Sequence, residues 1–105
     1  MDRPLNHERL DVYRLAVEVA RWIAGAGFPA NMRSLEDQAL RASQSIVLNI
    51  AEGASRRGQA GRNHFRIALG SVAETCAVLD LTALAGAAEQ QTKLRRVGSM
   101  LYRLR

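Results

Sequence analysis

With a single cysteine, Cys76, among its 105 residues, the chain can form no internal disulfide and no cysteine-rich metal site. There are only two prolines, Pro4 and Pro29, so long stretches are free of the residue that most disrupts a helix. Aromatic residues make up 5% of the chain, which together with abundant alanine points to closely packed helices. No apolar run approaches the roughly 18 residues a membrane span requires, and no signal-peptide pattern opens the sequence; a soluble, cytoplasmic protein with no membrane partner is expected. Valine and isoleucine never alternate with polar residues in the period of two that a half-buried strand needs. The expected class is therefore all-α. Acidic residues are also short: 15 Lys and Arg face 10 Asp and Glu, a net charge of +5, which favours nucleic acid, anionic lipid or an acidic protein as partner without choosing among them.

What is present is helical periodicity in a single domain, 1–105, since a chain of this length supports one core and not two. Breaks at GAGFPAN (Gly25–Asn31), at the basic linker ASRRGQAG (Ala54–Gly61) and at GAA (Gly86–Ala88) divide it into helices of about 7–25, 33–53, 60–85 and 89–104. Asn6 and Ser34 are the candidate N-caps of the first two, and Gly53 is a candidate left-handed C-cap. The first helix carries two apolar stripes, Leu10–Tyr13–Val17–Ala20–Ala24 and Val12–Ala16–Val19–Ile23, which implies two buried faces. Trp22 lies beside the second stripe and reads as an interface or bundle-end anchor. Val12, Val19, Trp22 and Ile23 are the candidate contact with a further copy of the chain. Leu94, Val97, Leu101 and Leu104 form the seam of the last helix, and Gly98 within it suggests close approach of a neighbour.

Two helices carry polar residues where the period asks for apolar ones. Asn49 falls on the seam Leu35–Ala39–Ala42–Ile46–Asn49–Gly53, and Glu74 falls within Ile67–Gly70–Glu74–Ala77–Leu81–Leu84. An unpartnered buried amide or carboxylate costs roughly 1–3 kcal/mol, so a shared polar layer of Asn49, Ser71 and Glu74 is expected, with Gly70 admitting a close neighbour. Such a layer fixes helix register; the competing reading is a Glu74 with a raised pKa acting as acid or base.

The run NIAEG (Asn49–Gly53), a short Arg-rich turn and RIALGSVAE (Arg66–Glu74), with ERLDVYRLAVEVA near the start, DQALRASQSI before the motif and the closing MLYRLR, resembles the four-helix bundle family of the 23S rRNA intervening-sequence proteins. That family includes the accessory proteins of diversity-generating retroelements. The resemblance implies an up-down bundle assembled into a ring, typically a homopentamer, and no motif implies catalysis. Where members usually open the third helix with a Ser or Thr followed by Glu, this chain has Gly58 and Gly61, and its loop is about one residue shorter.

Short connections make sequential helices antiparallel, an up-down-up-down four-helix bundle. That topology gathers Arg3, Arg9, Arg56, Arg57, Arg62, Arg103 and Arg105 at one end against Asp2, Glu8, Asp11 and Glu52, a net of +3. Arg56, Arg57, Arg62, Arg103 and Arg105 are the candidate phosphate contacts; the alternative is a solvated turn. The glycines around Arg56 do not make a P-loop, since GxxxxGK[ST] and a preceding strand are missing. His64 is read as a surface residue or a phosphate contact. Beside it the loop has no ring but Phe65, which belongs to the third helix's apolar seam Phe65–Leu69–Val72–Cys76–Leu79–Ala83, so base stacking is not indicated.

For an enzyme the pattern offers little. His7 and His64 lack metal-ligand partners at helical spacing, Glu-x-x-His does not occur at Glu52 or Glu74, and Cys76, on a core seam, has no nearby base and reads as an inert buried thiol. No metal, cofactor or small-molecule substrate is expected. Two functions remain: a non-enzymatic oligomeric adaptor or scaffold, and a basic nucleic-acid-binding accessory protein that partners a reverse transcriptase.

Overall fold

A computed structural model describes residues 5–105. Asp2 and Arg3 of the arginine grouping lie outside the described residues, as does the side chain of Arg9. Within them lie four helices, α1 (Asp11–Gly25), α2 (Arg33–Ser55), α3 (Gly58–Thr82) and α4 (Ala87–Leu104), with short 3-10 turns at Asn6–Arg9 and Ala30–Met32. The described residues contain no strand.

Each helix turns one face into a common core. From α1 come Val12, Ala16, Val19 and Ile23, from α2 Ala39, Ile46 and Ile50, from α3 Phe65, Ala68, Val72, Val78 and Leu79, and from α4 Leu94, Val97 and Leu101. Burial of each Leu, Ile, Val or Phe contributes about 1.5–3 kcal/mol, and sharing one core among four helices is what makes marginal single helices stable. Trp22 lies half-buried at one end of this core, its ring 3.3 Å from where a Cβ on Gly86 would stand.

The helix ends differ from the sequence expectation for local reasons. Leu10 is extended (φ −87°, ψ 128°), which separates the Asn6–Arg9 turn from α1. Asn6 therefore caps nothing; its side-chain amide reaches the Ala54 carbonyl at 3.5 Å. Ser34 lies inside α2, which starts at Arg33 after Met32 without a side-chain cap. Gly53 does not end α2, and Gly61 does not belong to a linker: between α2 and α3 only Arg56 and Arg57 remain, both extended. The glycines serve packing instead. A Cβ on Gly61 would lie 2.9 Å from the carbonyl oxygens of both Gly53 and Arg56, so the tight connection depends on its bare backbone. The α3–α4 turn runs through Ala83 at φ 51° and Gly86 at φ 86°. Gly98 and Gly70 are not sites of close approach within the chain: a Cβ on Gly98 would make ordinary contacts at 3.6 Å, and one on Gly70 would meet nothing within 4 Å.

Candidate functional site

Where α2 packs on α3, four polar side chains meet. The Asn49 amide nitrogen donates to the Ser45 carbonyl at 2.9 Å and to Ser45 Oγ at 3.1 Å. With its nitrogen so engaged, Asn49 Oδ1 can only accept, and it lies 2.8 Å from His64 Nδ1. The proton of the neutral imidazole is therefore on Nδ1, leaving Nε2 as the acceptor. Ser71 Oγ completes the group by donating to Ser45 Oγ at 2.9 Å. All four residues are half-buried, a setting in which hydrogen bonds resist competition from water.

This cluster revises the expected polar layer. Asn49 and Ser71 belong to it, but Glu74 does not: its side chain is exposed on the outer face of α3. The apolar stripe that contains Glu74 faces outward with it from Ile67 to Leu81, because the core already takes Phe65, Ala68, Val72 and Leu79 from the opposite face; Leu84, past the end of α3, packs against the core. Ser45 and His64 take its place. The signal was in the sequence, since Ser45 precedes Asn49 by one helical turn, but His64 was read as a surface or phosphate-contacting side chain.

The candidate phosphate contacts Arg56, Arg57, Arg62, Arg103 and Arg105 are all exposed. Arg56 is partly neutralised by Glu52, Nε to Oε2 3.1 Å, the one ion pair among the described residues. Arg62 donates to Gln59 at 3.1 Å, and the Arg105 guanidinium stacks 3.9 Å over the Tyr102 ring. Sequence reasoning missed Arg95 and Arg96, which line a shallow groove along α4 with Thr92, Ser99 and Arg103. Helical spacing puts Arg96, Ser99 and Arg103 on one face, and the described acid on that helix, Glu89, lies in its first turn.

The candidate contact with a second copy is also revised. Val12, Val19 and Ile23 are buried inside the chain, so this stripe of α1 is core and unavailable to a partner. Trp22 serves as the end anchor over Gly86. The large apolar side chains that do face outward include Leu48 on α2 (64% exposed) and Ile67 and Leu81 on α3 (53% and 67%). Leu48 borders a mainly apolar groove of about 400 Å³ between α1 and α2, lined also by Val17, Ala20, Ala24 and Val47 and by the polar side chains of Arg21 and Gln44.

Cys76 is half-buried, not sealed in the core. Burial pushes its thiol above the ordinary value; the Arg95 guanidinium opposes this, and the Asp80 carboxylate adds to it. A thiol held protonated is a poor nucleophile. Among the described residues no group of three His, Cys, Asp or Glu is placed to hold a metal ion, and no helix is long and apolar enough to cross a membrane.

No curated protein matches this sequence. The family model described as 23S rRNA-intervening sequence protein matches residues 8–102, a span that takes in the α2–α3 polar cluster, the Arg56–Arg57 connection and nearly all of α4. The chain belongs to the 23S rRNA-intervening sequence protein family.

Proposed function

We propose that the protein is a non-enzymatic, homo-oligomeric adaptor or scaffold of the cytoplasm: an up-down-up-down antiparallel four-helix bundle that assembles with copies of itself into a closed ring, five by the family resemblance. The observation that carries the oligomer is the apolar groove in which exposed Leu48 joins Val17, Ala20, Ala24 and Val47, together with outward-facing Ile67 and Leu81, since a contiguous apolar surface of this kind marks a contact site. The topology is supported by residue pairs. Asn49 meets His64 and Ser45 meets Ser71; Gln91 bonds to the Cys76 carbonyl and to Asp80; Leu10 and Val12 share a pocket with Met100 and Leu104. Light scattering tests the assembly: a mass that is a multiple of the single chain is the expected result, and a monomer at every concentration overturns it.

The second reading, a basic accessory protein that partners a reverse transcriptase in a diversity-generating retroelement, is favoured by the exposed arginines. Apart from Arg56, which pairs with Glu52, the arginines of α4 and of the α2–α3 connection have no ion-pair partner among the described residues. Copies in a ring would repeat this surface and add weak phosphate contacts into a strong one. Binding to DNA or RNA across a salt series is the test. An Arg56→Ala, Arg57→Ala double variant is expected to flatten the salt slope, and no binding at low salt removes the reading.

A further inference from the structure

We infer that the contact between copies is head-to-tail: the outer stripe of α3 from one copy lies in the α1–α2 groove of the next, with Glu74 of the stripe paired to Arg21 of the groove. This inference rests on the oligomeric reading proposed above and adds to it the faces and the register.

Three observations bring the two surfaces together. The stripe Ile67, Gly70, Glu74, Ala77 and Leu81 recurs at helical steps along the exposed face of α3, and Gly70, one turn before Glu74, has nothing within 4 Å of the place where a side chain would stand. It is a ridge with a low saddle, shaped for close approach by another helix. The α1–α2 groove is lined by Val17, Ala20, Ala24, Val47 and Leu48, with Gln44 and Arg21 as its polar side chains. The third observation is charge. Glu74 is the one charged residue within the stripe and Arg21 the one charged residue lining the groove. Both are exposed, and neither has an ion-pair partner among the described residues.

A Glu–Arg pair set within apolar contact fixes register better than it adds affinity, because a shifted register would bury both charges unpaired. The two surfaces are different patches of one molecule, so the contact is heterologous. A contact of that kind repeats from copy to copy and closes into a ring when the rotation allows. A two-fold dimer would have to bring both patches of each copy into one interface, so that Glu74 and Arg21 pair twice across the axis.

Light scattering on the wild type and on Arg21→Glu, Glu74→Arg and the double exchange tests the pairing, with circular dichroism confirming helicity in each. Since both side chains are exposed in the single chain, the exchanges are expected to leave its folding intact. Each single exchange is expected to reduce the assembly to the 11.5 kDa chain, and the double exchange to restore it. Should a single variant lose helicity, equimolar Arg21→Cys and Glu74→Cys chains, both carrying Cys76→Ser, give the same information: a mixed disulfide on mild oxidation is expected, and none overturns the pairing. An assembled wild type whose mass is indifferent to both exchanges, or single variants that dissociate without recovery in the double, overturns this interface and leaves the oligomeric reading standing. A monomeric wild type, as when these surfaces serve a different protein, overturns both.

Discussion

The ring of Phe65 occupies the space a side chain on Gly53 would need: a Cβ placed there would lie 2.6 Å from Phe65 Cε1 and 2.9 Å from Cζ. The C-terminal end of α2 and the start of α3 are thus held together by a ring lying on a bare backbone. Gly53→Ala is expected to displace Phe65 and destabilise the fold by about 1–3 kcal/mol, as overpacking of a filled core does. Gly61→Ala should cost more, because the obstructing atoms there are backbone carbonyls that cannot swing aside. Urea denaturation of the two variants gives the order. The control is Gly98→Ala, where the contacts are ordinary and the better helix former should gain about 0.5–1 kcal/mol.

The hydrogen-bonded group of Ser45, Asn49, His64 and Ser71 makes a separate prediction. Asn49→Leu fills the same volume but leaves His64 Nδ1 without its partner and takes one of two donors from Ser45 Oγ, which keeps Ser71. A loss of about 1–2 kcal/mol is expected, the usual cost of stranding half-buried polar groups. His64→Leu in the same background should cost less than it does alone, since the contact it would remove is already gone. A double-mutant cycle by denaturation reads this coupling; strictly additive losses would mean that the two side chains do not depend on each other.

Gln90 points the other way. It is buried on α4, and its Oε1 has no hydrogen-bond partner. Gln90→Met keeps the length of the side chain and removes the stranded acceptor, so a gain of about 1 kcal/mol is expected. The midpoint of thermal unfolding should rise; an unchanged or lower midpoint would mean that the oxygen is satisfied by solvent.

Cys76 gives a pH dependence with a definite sign. Burial raises the thiol's pKa in the folded chain, so the folded state holds this proton more tightly than the unfolded state does. The resulting stability is fully present below the unfolded thiol's pKa and is lost as pH rises through the folded value. Wild type should therefore lose more stability than Cys76→Ser between about pH 7 and pH 10, read as the shift in urea midpoint. Alkylation of Cys76 at neutral pH should also be slower than that of a free thiol.

Much of the fold was legible from residue spacing, and the errors share one physical origin. The four helices and their apolar seams follow from steps of three and four, but the period shows that a face is apolar and not which neighbour covers it. On α1 the Val12–Ile23 stripe was visible, yet its assignment to a partner copy reversed its role. On α3 two stripes compete, and Glu74 was the available clue: a carboxylate without a cation at helical spacing belongs in water, and its stripe goes outward with it. Glycines misled in the same way. Gly53 suggests a helix cap and Gly61 a linker, although glycine serves equally where backbones touch. His64 was underread because its partner, Asn49, lies across a connection whose tightness depends on Gly61.

That connection also bears on how the chain acquires its structure. With Arg56 and Arg57 alone between the two longest helices, closing α2 onto α3 incurs little loop entropy, whereas bringing α1 to α4 must organise most of the chain. The α2–α3 pair is thus expected to nucleate folding. Substitutions at Ile46 or Ala68 should mainly slow refolding, while those at Val19 or Leu101 should mainly speed unfolding.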